Sequence, residues 1–399
     1  MKIIHTADTH FNSVYDKLAR YYSGSGLAKN TAKEIVKTRN AELLSTFKRM
    51  VDWAIDEKVN AIIVAGDIVD NTKEYASGRD VIYSCIESHP EITFFMLGGN
   101  HDTDNLFQSI IKKYGELPDN LVTFGSEWSS YTLTEETSNG ILEVVVTGAE
   151  FTSDNPGSLV KTLSLDHSKF NIVTLHGQVL PSVSEAAKPY IIPINEYSSR
   201  GIDYMALGHI HKREVGRLDS RGIYSYSGCL EGRGFDESGP KGFNLLTITA
   251  TENLPKMELD FIQFAKRAIH LVYTDVTGCD TSDAALAKIT WKLDEDCEGI
   301  PVLSEDIVRV ILTGEVDMET MLDIAYIQQS LEDDYFYLEV VDDTRPFIDY
   351  DSFAHDMTLK GEFIRKVRAD EESGLLSEDE AADIISMGIK LLFGEEKLK

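Results

Sequence analysis

Five short apolar runs each lead directly into a cluster of polar side chains, and this repetition constrains the fold more than any other feature. Lys2 to Thr6 leads into Asp8-Thr9-His10, and Ala61 to Ala65 into Gly66-Asp67-Ile68-Val69-Asp70. Thr93 to Leu97 leads into Gly98-Gly99-Asn100-His101-Asp102, Ile172 to Leu175 into His176-Gly177, and Tyr204 to Leu207 into Gly208-His209-Ile210-His211. Short β-branched runs of this kind predict strands. Between the first two, Leu43, Leu44, Phe47, Met50, Val51, Ala54 and Ile55 recur at helical spacing while Lys48, Arg49 and Asp52 face water, which predicts a core-facing helix. Strands alternating with helices predict a layered α/β domain. Ligand sites in such domains lie beyond the carboxyl ends of the strands, so the five clusters can converge on one rim.

At 399 residues the chain exceeds what one hydrophobic core usually organises. Ser138-Asn139-Gly140 before the run Glu143 to Thr147 is a tight-turn signal for a hairpin. Around Glu258 to Arg267 the pattern changes. Strand His270 to Val276, helix Ser282 to Leu293, strand Ile307 to Leu312, helix Glu319 to Leu331 and strand Tyr335 to Val341 then predict a small separate α/β unit. Two helical patterns follow, Leu359 to Val367 and Ser377 to Leu392, the second opened by the capping-box sequence Ser377-Glu378-Asp379-Glu380. The predicted domains are residues 1–264, 265–350 and 351–399.

Net charge is -29, which is not the footprint of a protein held to nucleic acid by its overall charge. Residues 265–399 carry 13 basic against 32 acidic side chains, a balance of -19, and residues 1–264 carry 25 against 35, a balance of -10. A local basic groove remains compatible with this total, and Arg213, Arg233 and Lys241 are candidates for phosphate contacts. Cys85, Cys229, Cys279 and Cys297 form no C-x-x-C pair, so neither a disulfide framework nor a thiolate zinc site is expected. The N-terminus turns polar too early for a signal peptide or membrane span, and no membrane association and a cytoplasmic location are expected.

The residue types in the clusters point to chemistry. Oxygen and imidazole donors without thiolates suit manganese, iron or zinc in a hydrolytic site. Two such ions, roughly 3.5 to 4 Å apart, could bind a phosphate oxygen, generate hydroxide at neutral pH and stabilise an in-line transition state. A bridging carboxylate is then required, and Asp67 is the candidate. His5, inside the first strand, reads instead as a hydrogen-bonded core residue.

The ordered series D-x-H, G-D-x-x-D, G-N-H-D, an isolated His and G-H-x-H resembles the calcineurin-like metallophosphoesterases. The resemblance implies a layered metallophosphoesterase β-sandwich flanked by helices, with a smaller α/β C-terminal cap and terminal helices. It implies two divalent ions, most often manganese. Asp8, His10, Asp67 and His211 would hold the first, and Asp67, Asn100, His176 and His209 the second. His101 would be the unligated histidine that protonates the leaving oxygen, and Asp70 would orient it. Asp102 would be structural.

Within that superfamily, His5-Thr6-Ala7-Asp8, Tyr226-Ser227-Gly228, Gly232-Arg233-Gly234-Phe235-Asp236-Glu237 and Lys241-Gly242-Phe243 are similar to the SbcD-type DNA-repair exonucleases. That likeness implies a nuclease subunit for double-strand-break repair, with DNA as substrate, an SbcC-like coiled-coil ATPase as partner and a homodimer as assembly. Residues 268–345 would face DNA, and the helices from Leu359 onward would dock the ATPase. Some nucleases of the group carry a histidine where this chain has Asp70. With the acidic cap, that departure keeps a second reading open, hydrolysis of a small phosphodiester such as a cyclic nucleotide. A non-catalytic scaffold is the third.

Overall fold

Strands whose residues are apolar on both faces form the parallel centres of two sheets in the N-terminal part of the chain. The computed structural model describes residues 1–11, 29–69, 75–102, 105–138, 140–151, 159–182, 190–252, 254–295, 297–317, 322–347, 353 and 355–392. The chain divides into two compact units, Met1–Ala268 and Ile269–Lys399.

In the first unit the strands are β1 (Lys2–Thr6), β2 (Ala61–Ala65), β3 (Thr93–Leu97), β4 (Leu121–Thr123), β5 (Ser129–Thr137), β6 (Gly140–Gly148) and β7 (Phe170–His176). They continue with β8 (Gln178–Leu180), β9 (Ile191–Pro193), β10 (Tyr204–Gly208), β11 (Glu214–Arg217), β12 (Ile223–Tyr226), β13 (Gly242–Thr249) and β14 (Lys256–Gln263). Among the described residues one six-stranded sheet runs β14-β13-β1-β2-β3-β4 and a second runs β11-β12-β10-β7-β6-β5. Pairing is parallel from β1 through β4 and across β6, β7, β10 and β12; β13, β14, β5 and β11 add antiparallel flanks.

Burial explains the sequence patterns. All five residues of β2 are buried, as expected for a strand covered on both faces, whereas β14 alternates between intermediate and exposed positions. One core cluster draws Ile3, Ile63 and Phe95 from the first sheet and Val144, Ile172 and Tyr204 from the second, so the two sheets share a core. Full burial of each such side chain contributes roughly 1.5–3 kcal/mol. The helices α1 (Lys29–Asp56), α2 (Tyr75–Glu87) and α3 (Asn105–Tyr114) are joined by two single turns, α4 (Leu159–Thr162) and α5 (Ile194–Tyr197). Leu43, Phe47, Met50, Val51 and Ala54 of α1 are buried.

In the second unit β15 (Ile269–Asp275), α6 (Ser282–Leu293), β16 (Ile307–Thr313), β17 (Glu315–Asp317), α7 (Ile324–Leu331), β18 (Tyr337–Asp342) and β19 (Arg345–Phe347) follow in order. The three-stranded sheet β15-β16-β18 is parallel, and Val272, Val308, Val310 and Val340 pack on Ile289 and Ile327 of the helices. The helices α8 (Leu359–Glu372) and α9 (Glu378–Leu392) bury Ile364, Val367, Ala381 and Ile385 in a small core of their own. At the start of α9 the capping box forms: Ser377 N–H donates to Glu380 at 2.8 Å, and Glu380 N–H to Ser377 Oγ at 3.3 Å. The molecule is thus a mixed α/β fold with two large sheets flanked by helices, the layered fold expected for a metallophosphoesterase. No helix among the described residues is long and apolar enough to cross a membrane.

Candidate metal centre

Where the central strands stop, the chain turns sharply. Asp8, His10, Asp67 and His209 have φ values of +52°, +43°, +49° and +100°. Such angles cost a residue with a side chain on the order of 1–3 kcal/mol and persist only where surrounding contacts enforce them. Here they are enforced by hydrogen bonds between loops: Asp8 N–H to Gly66 O and His10 N–H to Asp67 O, both 3.0 Å. Two glycines make the close approach feasible. A Cβ on Gly66 would lie 2.3 Å from His176 Nδ1, and one on Gly99 would lie 2.2 Å from Asp67 Oδ1.

The donor atoms fall into two overlapping groups. Ligand-capable atoms of Asp8, His10, Asp67 and His211 all lie within 4.8 Å of one another, as do those of Asp67, His176 and His209. Asp67 belongs to both. Asn100 Oδ1 closes the second group, 3.0 Å from His176 Nε2 and 2.8 Å from His209 Nδ1. His176 donates Nδ1–H to the Ala65 carbonyl at 2.9 Å, which turns Nε2 toward Asp67 at 3.4 Å as the nitrogen an ion would take once its proton leaves. His10 Nε2 and His211 Nε2 face each other at 3.2 Å. Imidazole nitrogens and two carboxylates gathered at one point suit a cation, so this donor set fits a divalent ion and lacks the thiolates a soft metal prefers. The nearby Cys229 is kept a thiol by burial.

Electrostatics agree with that fit. Burial acts to raise the Asp67 pKa, yet the hydrogen bond with His176 and the charges of His176 and His10 outweigh it, holding the carboxyl below the usual range. Burial lowers the His176 pKa, but Asp67 overcomes this and lifts it to about 9. The proton shared by this pair must leave when an ion arrives, so ion affinity rises with pH.

Other predicted residues are placed as follows. The His101 N–H donates to Asp67 Oδ1 at 2.8 Å, and its ring stands edge-on to His10 with centroids 5.1 Å apart. Asp70 lies outside the described residues. Asp102 accepts from the N–H groups of Ile68, Val69 and Gly99 at 2.8–2.9 Å, stapling the loop after β2 to the loop after β3. His5 is buried and bonded to the Tyr204 hydroxyl at 2.8 Å, with burial lowering its pKa to about 3.

The three candidate phosphate-binding cations are engaged internally. Arg233 pairs with Glu237 at 2.6 Å, the buried Lys241 donates to the His211 carbonyl at 3.1 Å, and Arg213 donates to Asn244 at 3.0 Å. A residue that spacing did not single out is Glu237, 2.7 Å from His211 Nδ1. Burial would raise its pKa, but the bond from His211 and the Arg233 charge hold it well below the carboxylate range. Beside these groups opens a cleft of about 420 Å³, lined in part by His209, His211, Lys212 and Ser238.

A fold of two helix-flanked sheets with overlapping Asp/His donor groups at the strand ends defines a class of metal-dependent hydrolases. The sequence profile of the calcineurin-like phosphoesterases matches residues 1–213, more than half of the chain, and the chain belongs to that family. The uncharacterized metallophosphoesterase YhaO of Bacillus subtilis (strain 168) is 25% identical over 323 residues, covering 79% of this chain and 72% of that protein. The DNA double-strand break repair protein Mre11 of Sulfurisphaera tokodaii is also 25% identical over 323 residues, covering 79% of this chain and 74% of its own length. A solved dimetal phosphatase from Danio rerio superposes with a TM-score of 0.37 at 10% identity, covering 65% of this chain and 95% of that one. The chain is therefore a phosphoester hydrolase of a family that uses divalent metals, and the two donor groups could hold them.

Proposed function

We propose that this chain is a manganese-dependent DNA nuclease of the cytoplasm, acting in double-strand-break repair with a coiled-coil ATPase of the SbcC type. The observation that carries the reading is the pair of donor groups sharing Asp67, supported by the repair protein among the relatives. Asp8, His10, Asp67 and His211 would hold one ion, and Asp67, Asn100, His176 and His209 the other. Ions bound there would supply positive charge to the transferring phosphoryl group and a nucleophile active at neutral pH.

The chain's own groups do the rest. Asp67 belongs to both groups, its Oδ2 lying 3.8 Å from His10 Nε2 and 3.4 Å from His176 Nε2, while its Oδ1 receives the His101 N–H. Binding and proton transfer are thereby tied to one carboxylate. His101 delivers a proton to the leaving oxygen, and Asp70 is its orienting partner. We assign residues 1–264 to catalysis, 265–350 to a DNA-facing cap and 351–399 to the ATPase dock, in a homodimer. Purified protein with manganese should cut linear duplex or single-stranded DNA, alone or with its ATPase. Intact DNA under all these conditions defeats the reading.

One observation favours a second reading. Arg233, Lys241 and Arg213 are each held by internal partners, and affinity for duplex DNA comes chiefly from cations that replace counterions on phosphates. A small phosphodiester needs fewer such contacts. Turnover of a cyclic nucleotide far above that of DNA decides for this alternative.

A further inference from the structure

The charged groups behind His211 have no part in the reaction as drawn above. Its Nδ1 lies 2.7 Å from Glu237 Oε1. Arg233 grips the same carboxylate, with Nη2 2.6 Å from Oε1 and the backbone N–H 2.7 Å from Oε2. Arg233 Nη2 also comes within 3.0 Å of His211 Nδ1. A guanidinium only donates and an ionised carboxylate only accepts, so Nδ1 can serve one of these two contacts and not both; the shorter, to Glu237, takes the proton. His211 donates Nδ1–H to Glu237, and the approach of Arg233 to Nδ1 follows from the oxygen they share. Nε2 then carries the lone pair, and Nε2 is the atom that faces His10 at 3.2 Å and Asp8 at 3.9 Å.

The segment bearing Glu237 is itself tied to the interior. Arg39 of α1, fully buried, donates to Glu231 at 3.1 Å and to the Gly232 carbonyl at 2.8 Å, while Thr46 donates to the other Glu231 oxygen at 2.7 Å. His176 differs: its outer nitrogen is held by a strand carbonyl, which needs no such support.

We propose that Glu237, clamped by Arg233, is the positioning residue of the Asp8–His10–Asp67–His211 group, fixing the tautomer and orientation of His211 and so setting the ion affinity of that group alone. This rests on the reading that the two groups hold ions. Outer partners of metal-binding histidines commonly govern affinity in this way, with losses of about 10- to 100-fold on their removal.

The test uses the full chain, manganese alone as the probe, calorimetric titration, and nitrogen chemical shifts of histidine-labelled, ion-free protein at alkaline pH. The wild type should bind two ions and show His211 protonated on Nδ1. In Glu237→Gln one binding step should weaken by about 10- to 100-fold with the other unchanged. Glu237→Asp should recover part of the loss, and Glu237→Gln should add nothing to His211→Ala. Wild-type His211 protonated on Nε2 overturns the proposal without recourse to any variant. So does Glu237→Gln binding both ions as the wild type does, or losing affinity equally at both steps. A wild type that binds no divalent ion overturns the function proposed above as well, whereas two-step binding indifferent to Glu237 overturns only this inference.

Discussion

Both units place aspartates at the carboxyl ends of parallel strands, but they use them differently. In the second unit Asp275, ending β15, and Asp342, ending β18, each accept the N–H two residues ahead, at 2.8 and 3.0 Å, closing their own turns. In the first unit Asp8 accepts from His209, 201 positions away, and Asp67 from His101, 34 positions away. A carboxylate that folds back on its own turn shapes the backbone. One that reaches across strands joins a site. Position at a strand end therefore marks where a site can be, and the sequence distance to the partner marks whether there is one.

That contrast can be tested by substitution. Asp67→Asn should show the largest effect, loss of both ions and a fall in phosphodiester turnover of about ten-thousand-fold or more, read by metal analysis and hydrolysis together. Retention of two ions would mean Asp67 does not join the groups. His101→Ala should keep its ions while turnover falls about 100- to 1,000-fold. Equal metal loss in the two variants would erase the distinction between holding an ion and moving a proton.

His5 offers a smaller effect in a buried polar group with no ion to serve. Its folded pKa, about 3, lies below the ordinary histidine value of 6.5, so its contribution is fully present above pH 6.5 and is lost as pH falls toward 3. By about pH 4 the wild type should have lost roughly 3 kcal/mol relative to His5→Gln, measured by denaturant unfolding across the range. Parallel curves for the two proteins would contradict the burial argument. Asp275→Ala should have the least effect, a slight loss of stability for a lost exposed turn bond, with unchanged hydrolysis. A drop in turnover there would break the comparison between the units.

The sequence made the strands and the donors legible for the same reason: each donor directly follows an apolar run. Lys2–Thr6, Ala61–Ala65 and Thr93–Leu97 are strands as read. Ends governed by capping were harder to place. The helix expected from Glu319 begins at Ile324 because Asp323 caps it, accepting the Tyr326 N–H at 2.9 Å; residues 318–321 lie outside the described residues. Glu237 and the Arg39–Glu231 pair were not legible as partners, because they meet across 26 and 192 residues and no local spacing encodes such a meeting. Nor could spacing tell that Arg233, Lys241 and Arg213 already have partners.

The left-handed backbone of Asp8, His10, Asp67 and His209 has a consequence for stability. Glycine occupies those angles without penalty, so in the absence of ions a replacement such as His209→Gly should make the chain more heat-resistant while removing a donor. A donor side chain at such an angle sets the ease of the backbone against the ability to gather charge at one point.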